Sequence, residues 1–375
     1  MSKPFSIGDT LSFIKQARNP AHKRPVDSRS HDFDEIYLDN DQDQLIKQAD
    51  RCLDCGNPYC EWQCPLHNFI PNWLDMVAYG QFEQAASLMH ATNPLPEICG
   101  RVCPQDRLCE QACTLNTGFG AVTIGAIEKN IADQALANNW RPDLSAVKQI
   151  RKKVAIIGAG PAGLGCAELL ARNGVKAVVY DKYPEIGGLL TFGIPAFKLE
   201  KSIIAKRRVF LQDIGIEFRL NTEIGQDISI RQLQQQYDSL FLAMGTYQTV
   251  DGNLAGGQRD NVIQALDYLI GNINQQQNYQ MERQYYDLKD QHVLVLGGGD
   301  TAMDCVRSAI RQQAKSVSCV YRKDEKAMPG SRTEIVNAKE EGVKFIFNQQ
   351  PTEITVAGVV FDRSDFKPLK HKDKT

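Results

Sequence analysis

Eight of the eleven cysteines fall between Cys52 and Cys113, in two runs. The first is Cys52-x2-Cys55-x4-Cys60-x3-Cys64, followed by Pro65; the second is Cys99-x3-Cys103-Pro104-x4-Cys109-x3-Cys113. Four thiols within thirteen residues, closing on a Cys-Pro step, supply the soft anionic shell that wraps a compact iron–sulfur core. Zinc is the competing reading. Structural zinc sites usually set two Cys-x2-Cys pairs across a spacer, and only Cys52 and Cys55 have that spacing here. The runs therefore predict two [4Fe–4S] clusters. In two-cluster ferredoxins one run lends a cysteine to the other's cluster, so sequence order does not settle the sharing.

Gly158-Ala-Gly160-Pro161-Ala162-Gly163 sits between a short apolar run and a helix-like stretch, as a dinucleotide fingerprint requires. Gly158 permits the tight turn, Gly160 the approach of backbone to pyrophosphate, and Gly163 close helix–strand packing. Asp181, twenty-three residues after Gly158, ends the next strand, where a carboxylate accepts from ribose hydroxyls. Gly297-Gly-Gly299-Asp300-Thr301-Ala302 repeats the pattern, but its next strand ends at Arg322, beside Lys323. A carboxylate repels a 2′-phosphate and a guanidinium binds it. FAD is therefore expected at the first loop and NADPH at the second, with Arg332 as a further cation. A surface position is the alternative for Arg322. Pyridine nucleotide, flavin and clusters together form an electron chain, and no general acid or base is required.

The elements that must position these residues follow from pattern. Residues 1 to 150, with Pro71–Met89 and Ala121–Ala137 apolar-periodic, read as a helical domain ending in a linker from Trp140. Strand–helix–strand units are expected at Val154–Ile157, Ala162–Asn173 and Val175–Tyr180, and again at His292–Leu296, Asp300–Gln312 and Ser316–Tyr321. Val343–Phe347 reads as one more strand, and Asn274–Gln280 as a polar surface loop. The fold class is α/β: a helical Fe–S domain, then two doubly wound, Rossmann-like domains, the last incomplete. The boundaries are 1–150, 151–288 (FAD), 289–350 (NADPH) and an atypical, disordered tail over 351–375. A net charge of −2 and a pI near 6.3 give no reason to expect nucleic acid or a membrane surface as partner. Without a spanning run or a signal-like N-terminus, a cytoplasmic location is expected.

Five segments resemble the glutamate synthase small subunit: 52–65, Ile98–Cys113, Gly187–Leu199 (GGLLTFGIPAFKL), Gly297–Cys305 and Met328–Glu334. The likeness runs from about residue 50 to about 350 and extends to the N-terminal part of dihydropyrimidine dehydrogenase. It implies an NADPH-dependent oxidoreductase in which NADPH reduces FAD and electrons leave through the clusters. The implied partner is a large (alpha) subunit that turns glutamine and 2-oxoglutarate into two glutamates. It implies one cluster on Cys52, Cys55, Cys60 and Cys113, and another on Cys64, Cys103 and Cys109, with Cys99 and Glu128 as rivals for the fourth place. Gly188, Leu189, Gly245 and Thr246 join the expected cofactor contacts. Members of the family continue past residue 350 and return to the FAD domain, and nothing in 351–375 matches that return. The expectation is a C-terminally truncated chain with exposed core and weak or absent FAD retention, extending to no activity. Two alternatives stand beside this reading: the same module feeding another enzyme, or an inactive remnant that still binds the large subunit.

Overall fold

The computed structural model describes residues 11–249, 252–279 and 283–364. It divides into two compact units: one holds Asp34–Gly245 and the described residues up to Arg24, the other Pro25–Phe33 and the described residues from Thr246.

In the first unit the helices Gln42–Ala49, Ile70–Ala78, Phe82–Thr92 and Ile124–Ala137 enclose Leu45, Trp73, Leu74, Met89 and Ile127. The Asp41 carboxylate caps the first of these, accepting from the Gln44 N–H at 2.7 Å. The stretch Pro71–Met89 spans parts of two helices, between which the chain turns at Gly80 with φ +71°. Strands β1 (Ile150–Ile157), β2 (Val175–Tyr180), β3 (Glu217–Arg219) and β4 (Ser239–Leu242) form a parallel sheet in the order β3-β2-β1-β4. Ala155, Ile156 and Ile157 are buried in succession, as a strand covered on both faces requires. Leu95, Ile98 and Leu136 of the helical layer share one core with Ile156, Leu164 and Val179. The Trp140 segment is anchored by Arg141, whose Nη2 lies 2.6 Å from Asp213. Strand β4 lies at one edge of this sheet, and Phe241, Leu242 and, just beyond it, Met244 are exposed.

In the second unit β5 (His292–Leu296), β6 (Ser316–Tyr321) and β7 (Lys344–Phe347) run parallel in that order. Helix Ala265–Gln277 packs Tyr268 and Leu269 near Cys305 of helix Asp300–Arg311. This packing corrects the expected loop at 274–280: burial of Ile273 and Asn274 carries the helix on to Gln277, and left-handed Asn278 ends it. Gln280 lies outside the described residues. The two compact units part between Gly245 and Thr246. The 351–375 segment is also not wholly a tail. Strands β8 (Gln349–Ile354) and β9 (Val359–Arg363) pair as an antiparallel hairpin, tied down by the Ile354 N–H donating to Ala255 O at 2.7 Å. Residues from Asp365 on lie outside the described part.

The N-terminal segment Pro25–Phe33 contributes Arg29, which is buried and paired with Glu340 and Glu341. Glu341 also receives Arg307 Nη2 at 2.8 Å and Arg311 Nη1 at 2.7 Å. Among the described residues, no helix is long and apolar enough to cross a membrane.

Candidate cluster and dinucleotide sites

The x3 spacing between cysteines is one helical turn. In helices Tyr59–Gln63, Pro96–Val102 and Cys109–Ala112 the later cysteine (Cys64, Cys103 and Cys113) is the C-cap. The N–H groups of Cys64 and Cys103 donate to the carbonyls of Cys60 and Cys99, each at 3.2 Å, which closes the turn between the two cysteines. Cys52, Cys55, Cys60 and Cys113 then line a single cavity closed by Pro58, Leu74, Val122 and Ile124. Among the described residues no three His, Cys, Asp or Glu side chains converge closely enough for a single metal ion. The first set rings a space instead, which is what a core larger than one ion needs. Burial pushes the Cys52 and Cys60 thiols up to about 12, and Cys113 and Cys55 add to the rise. Such crowded thiols ionise only against a cationic core, so their chemistry fits a cluster.

Of the remaining cysteines, Cys99, Cys103 and Cys109 feel the charge of Glu128, and Cys64 neighbours Cys103 and Cys109. Burial, then Glu128 and Cys64, raise Cys103 to about 12. Cys99 and Cys109 are driven well up by burial, with Glu128 and Cys103 adding to both. Burial also raises the Glu128 carboxyl to about 8. The helices carrying Cys99 and Glu128 touch backbone to backbone: a Cβ at Gly100 would lie 2.5 Å from the Lys129 nitrogen.

At the first dinucleotide loop the topology reverses between β1 and β4, and Gly158 sits at that switch point. Its φ is +110°, and a Cβ there would lie 2.3 Å from Ala243 O, just before Met244 and Gly245. A Cβ at Gly163 would meet Gly158 O at 2.0 Å, whereas Gly160 faces open space. Pro161 opens helix Pro161–Arg172, and Pro161 and Ala162 are exposed. Asp181 accepts from the Ala159 N–H at 2.6 Å and from the Tyr183 N–H at 2.9 Å, so its carboxylate braces the loop itself. The Gly187 N–H donates to Ala159 O at 2.7 Å, drawing in Gly188 and Leu189, which start helix Leu189–Phe192.

The second loop is built alike. Gly297 has φ +144°, Gly299 faces open space, and helix Asp300–Arg311 starts with Asp300, exposed Thr301 and buried Ala302. The Met328–Glu334 segment folds back onto it. Gly330 N–H donates to Gly298 O at 2.9 Å and Ser331 N–H to Asp300 Oδ1 at 2.8 Å. Arg322 is exposed just past β6, next to Lys323. Arg332 donates to the carbonyls of Glu325 at 2.9 Å and Lys326 at 2.6 Å. Thr246 is exposed and falls in the second unit, whereas Gly245 belongs to the first.

The family model for dihydropyrimidine dehydrogenase domain II, 4Fe-4S cluster, matches residues 29–140, and that for pyridine nucleotide-disulphide oxidoreductase matches 152–375. The glutamate synthase [NADPH] small chain of Halomonas elongata is 57% identical over 349 residues, covering 93% of this chain and 74% of that one. Its namesake from Escherichia coli K12 is 57% identical over 352 residues, covering 93% and 75%. The chain belongs to the glutamate synthase [NADPH] small-chain family. It is accordingly an oxidoreductase with iron–sulfur and flavin/pyridine-nucleotide domains. The putative oxidoreductase AegA of Escherichia coli K12 is 53% identical over 341 residues, covering 90% of this chain but 52% of that protein.

Two contributors in this family member escape a reading of sequence alone. Asn93 donates from Nδ2 to Glu128 Oε1 at 2.9 Å, and its Oδ1 faces the Cys99 sulfur at 3.7 Å, so one amide touches both rivals for the fourth place. Arg51, wholly buried beside Cys52, donates to the carbonyls of Gln16, Phe119, Gly120 and Ala121. Neither is a metal-ligand type, and Asn93 lies outside both cysteine runs. The adjacency of Arg51 to Cys52 was the only signal available.

Proposed function

We propose that this chain is the electron-input subunit of an NADPH-dependent glutamate synthase. NADPH binds at the second loop and FAD at the first. Electrons then leave through two [4Fe–4S] clusters to a large subunit that makes L-glutamate from L-glutamine and 2-oxoglutarate in the cytoplasm. The observation that supports this reading is the one cavity lined by Cys52, Cys55, Cys60 and Cys113 within the same unit as the first dinucleotide loop.

When bound, the flavin takes an electron pair as hydride from the pyridine nucleotide, and the clusters carry single electrons onward. The chain's own work is to bind, orient and exclude water. Cys52, Cys55, Cys60 and Cys113 would hold one cluster; Cys64, Cys103 and Cys109, with Cys99 or Glu128, the other. Gly160 and the N-terminus of helix Pro161–Arg172 would take the FAD pyrophosphate, and Asp181 the ribose through lone pairs left by its loop contacts. Gly188, Leu189, Gly245 and Thr246 are proposed as further contacts. Gly297, Gly299, Asp300, Thr301 and Ala302 would cradle NADPH, with Arg322 and Lys323 on its 2′-phosphate.

An anaerobic NADPH titration of the iron- and flavin-loaded chain tests the electron path. Bleaching of flavin and iron–sulfur bands together supports it. Flavin bleaching that leaves the iron–sulfur bands untouched overturns it. The coverage of AegA favours one second reading, the same module serving another enzyme. NADPH oxidation that requires the large subunit, glutamine and 2-oxoglutarate together decides for glutamate synthase.

A further inference from the structure

Arg207, on helix Lys201–Asp213, is fully buried. Its Nε donates to Glu97 Oε1 at 2.7 Å, its Nη2 to Glu97 Oε2, and its Nη1 reaches Glu168 Oε2 at 3.4 Å. Nη2 also lies 3.3 Å from Nε2 of His90, whose Nδ1 is 2.8 Å from the Ala86 carbonyl. A hydrogen on Nδ1 therefore leaves Nε2 as an acceptor for the guanidinium. The Phe210 ring packs 4.2 Å from the guanidinium carbon, and its own face is stacked on Trp140.

The two acidic partners come from functionally distinct places. Glu97 lies two residues before Cys99, on helix Pro96–Val102. Glu168 lies on helix Pro161–Arg172, whose first turn opens the dinucleotide loop. One cation thus joins the helix bearing part of the second cysteine set to the helix bearing the flavin-side loop. A buried ion pair adds little net stability over apolar residues of equal volume, and its best-attested use is to fix geometry.

We propose, resting on the electron path above, that Arg207 is a positioning residue. It sets the spacing between the second cysteine set and the first dinucleotide loop, and with it the rate at which flavin electrons reach that cluster.

The test is anaerobic stopped-flow mixing of the loaded chain with NADPH, reading flavin and iron–sulfur bands separately. The variants are Arg207→Lys, which keeps the charge but loses the fork, and the double variant Glu97→Gln/Arg207→Met, which leaves Glu97 without a buried charge. Flavin reduction should proceed at the parental rate in both. Cluster reduction should slow by about tenfold in the double variant and by less in Arg207→Lys. Parental cluster reduction in a double variant with full iron content overturns the proposal. Should the parent itself pass no electrons to its clusters, the electron path fails, and hydrogen exchange of the same chains decides on Arg207 alone. Faster exchange in both Pro96–Val102 and Pro161–Arg172 upholds the coupling; a change confined to Lys201–Asp213 sinks it.

Discussion

Arg51 and Ala121 are joined by a buried hydrogen bond, 3.0 Å from Nη1 to the carbonyl oxygen. Through it the residue just before Cys52 grips the segment that follows Cys113, so the two ends of the first cysteine set are held by one side chain. Nη2 adds bonds of 2.8 Å to both Phe119 and Gly120. Replacement of Arg51 by Met should strand the Phe119 and Gly120 carbonyls, while Ala121 keeps Arg18 Nη1 at 2.6 Å, and cost about 3 kcal/mol. Thermal unfolding should show the loss, and iron content should fall with it. Unchanged iron at a lowered melting temperature would confine Arg51 to a structural role.

Gly160 and Gly163 should part company. A methyl at Gly160 meets nothing within 4 Å, and its φ of −72° suits any residue. Gly160→Ala should therefore melt like the parent, within about 0.5 kcal/mol, yet bind FAD far more weakly where pyrophosphate must approach. A methyl at Gly163 would stand 2.0 Å from a backbone oxygen, so Gly163→Ala should destabilise by about 3 kcal/mol. Melting curves and flavin titration of both variants check the contrast.

Arg322 should discriminate between the two pyridine nucleotides. Losing a charge-assisted contact to a 2′-phosphate costs about 1.5–3 kcal/mol, so Arg322→Ala should lower kcat/KM for NADPH by about 10- to 100-fold. NADH, which lacks that phosphate, should be used as before. Reduction of an artificial acceptor with each nucleotide measures the ratio. An equal loss for both would remove Arg322 from the phosphate site.

Acid should weaken the second unit through Glu341. Burial raises this carboxyl, but hydrogen bonds and charge from Arg307 and Arg311 outweigh burial and bring it from 4.5 down to about 2. A folded value below the unfolded one adds stability above about pH 4.5 that is lost as pH falls toward 2. The parent should therefore lose about 3 kcal/mol more than Glu341→Gln between pH 5 and pH 2. Denaturant unfolding across that window checks it. Parallel curves would mean that Glu341 does not govern acid stability.

Residues with short-range patterns were the legible ones. β2, β5 and β6 lie at the residues expected of them, because each is a short run rich in β-branched and apolar residues bounded by loop-forming ones. The two glycine loops were legible for the same reason, since steric need for glycine leaves a fixed spacing. What stayed hidden depends on partners distant in sequence. Asn274 is polar yet helical because its helix packs on another thirty residues away. Asn93 reaches Glu128 only across a helix pair.

Segment Pro25–Phe33 belongs to the second unit while the residues on either side belong to the first, so the backbone passes between the units three times. A protease cutting once between Gly245 and Thr246 would therefore not release the second unit as a free fragment. The N-terminal piece would keep hold of it through Arg29, lodged against Glu340 and Glu341. The nicked protein should run as one species on a sizing column and part only when that clasp is denatured.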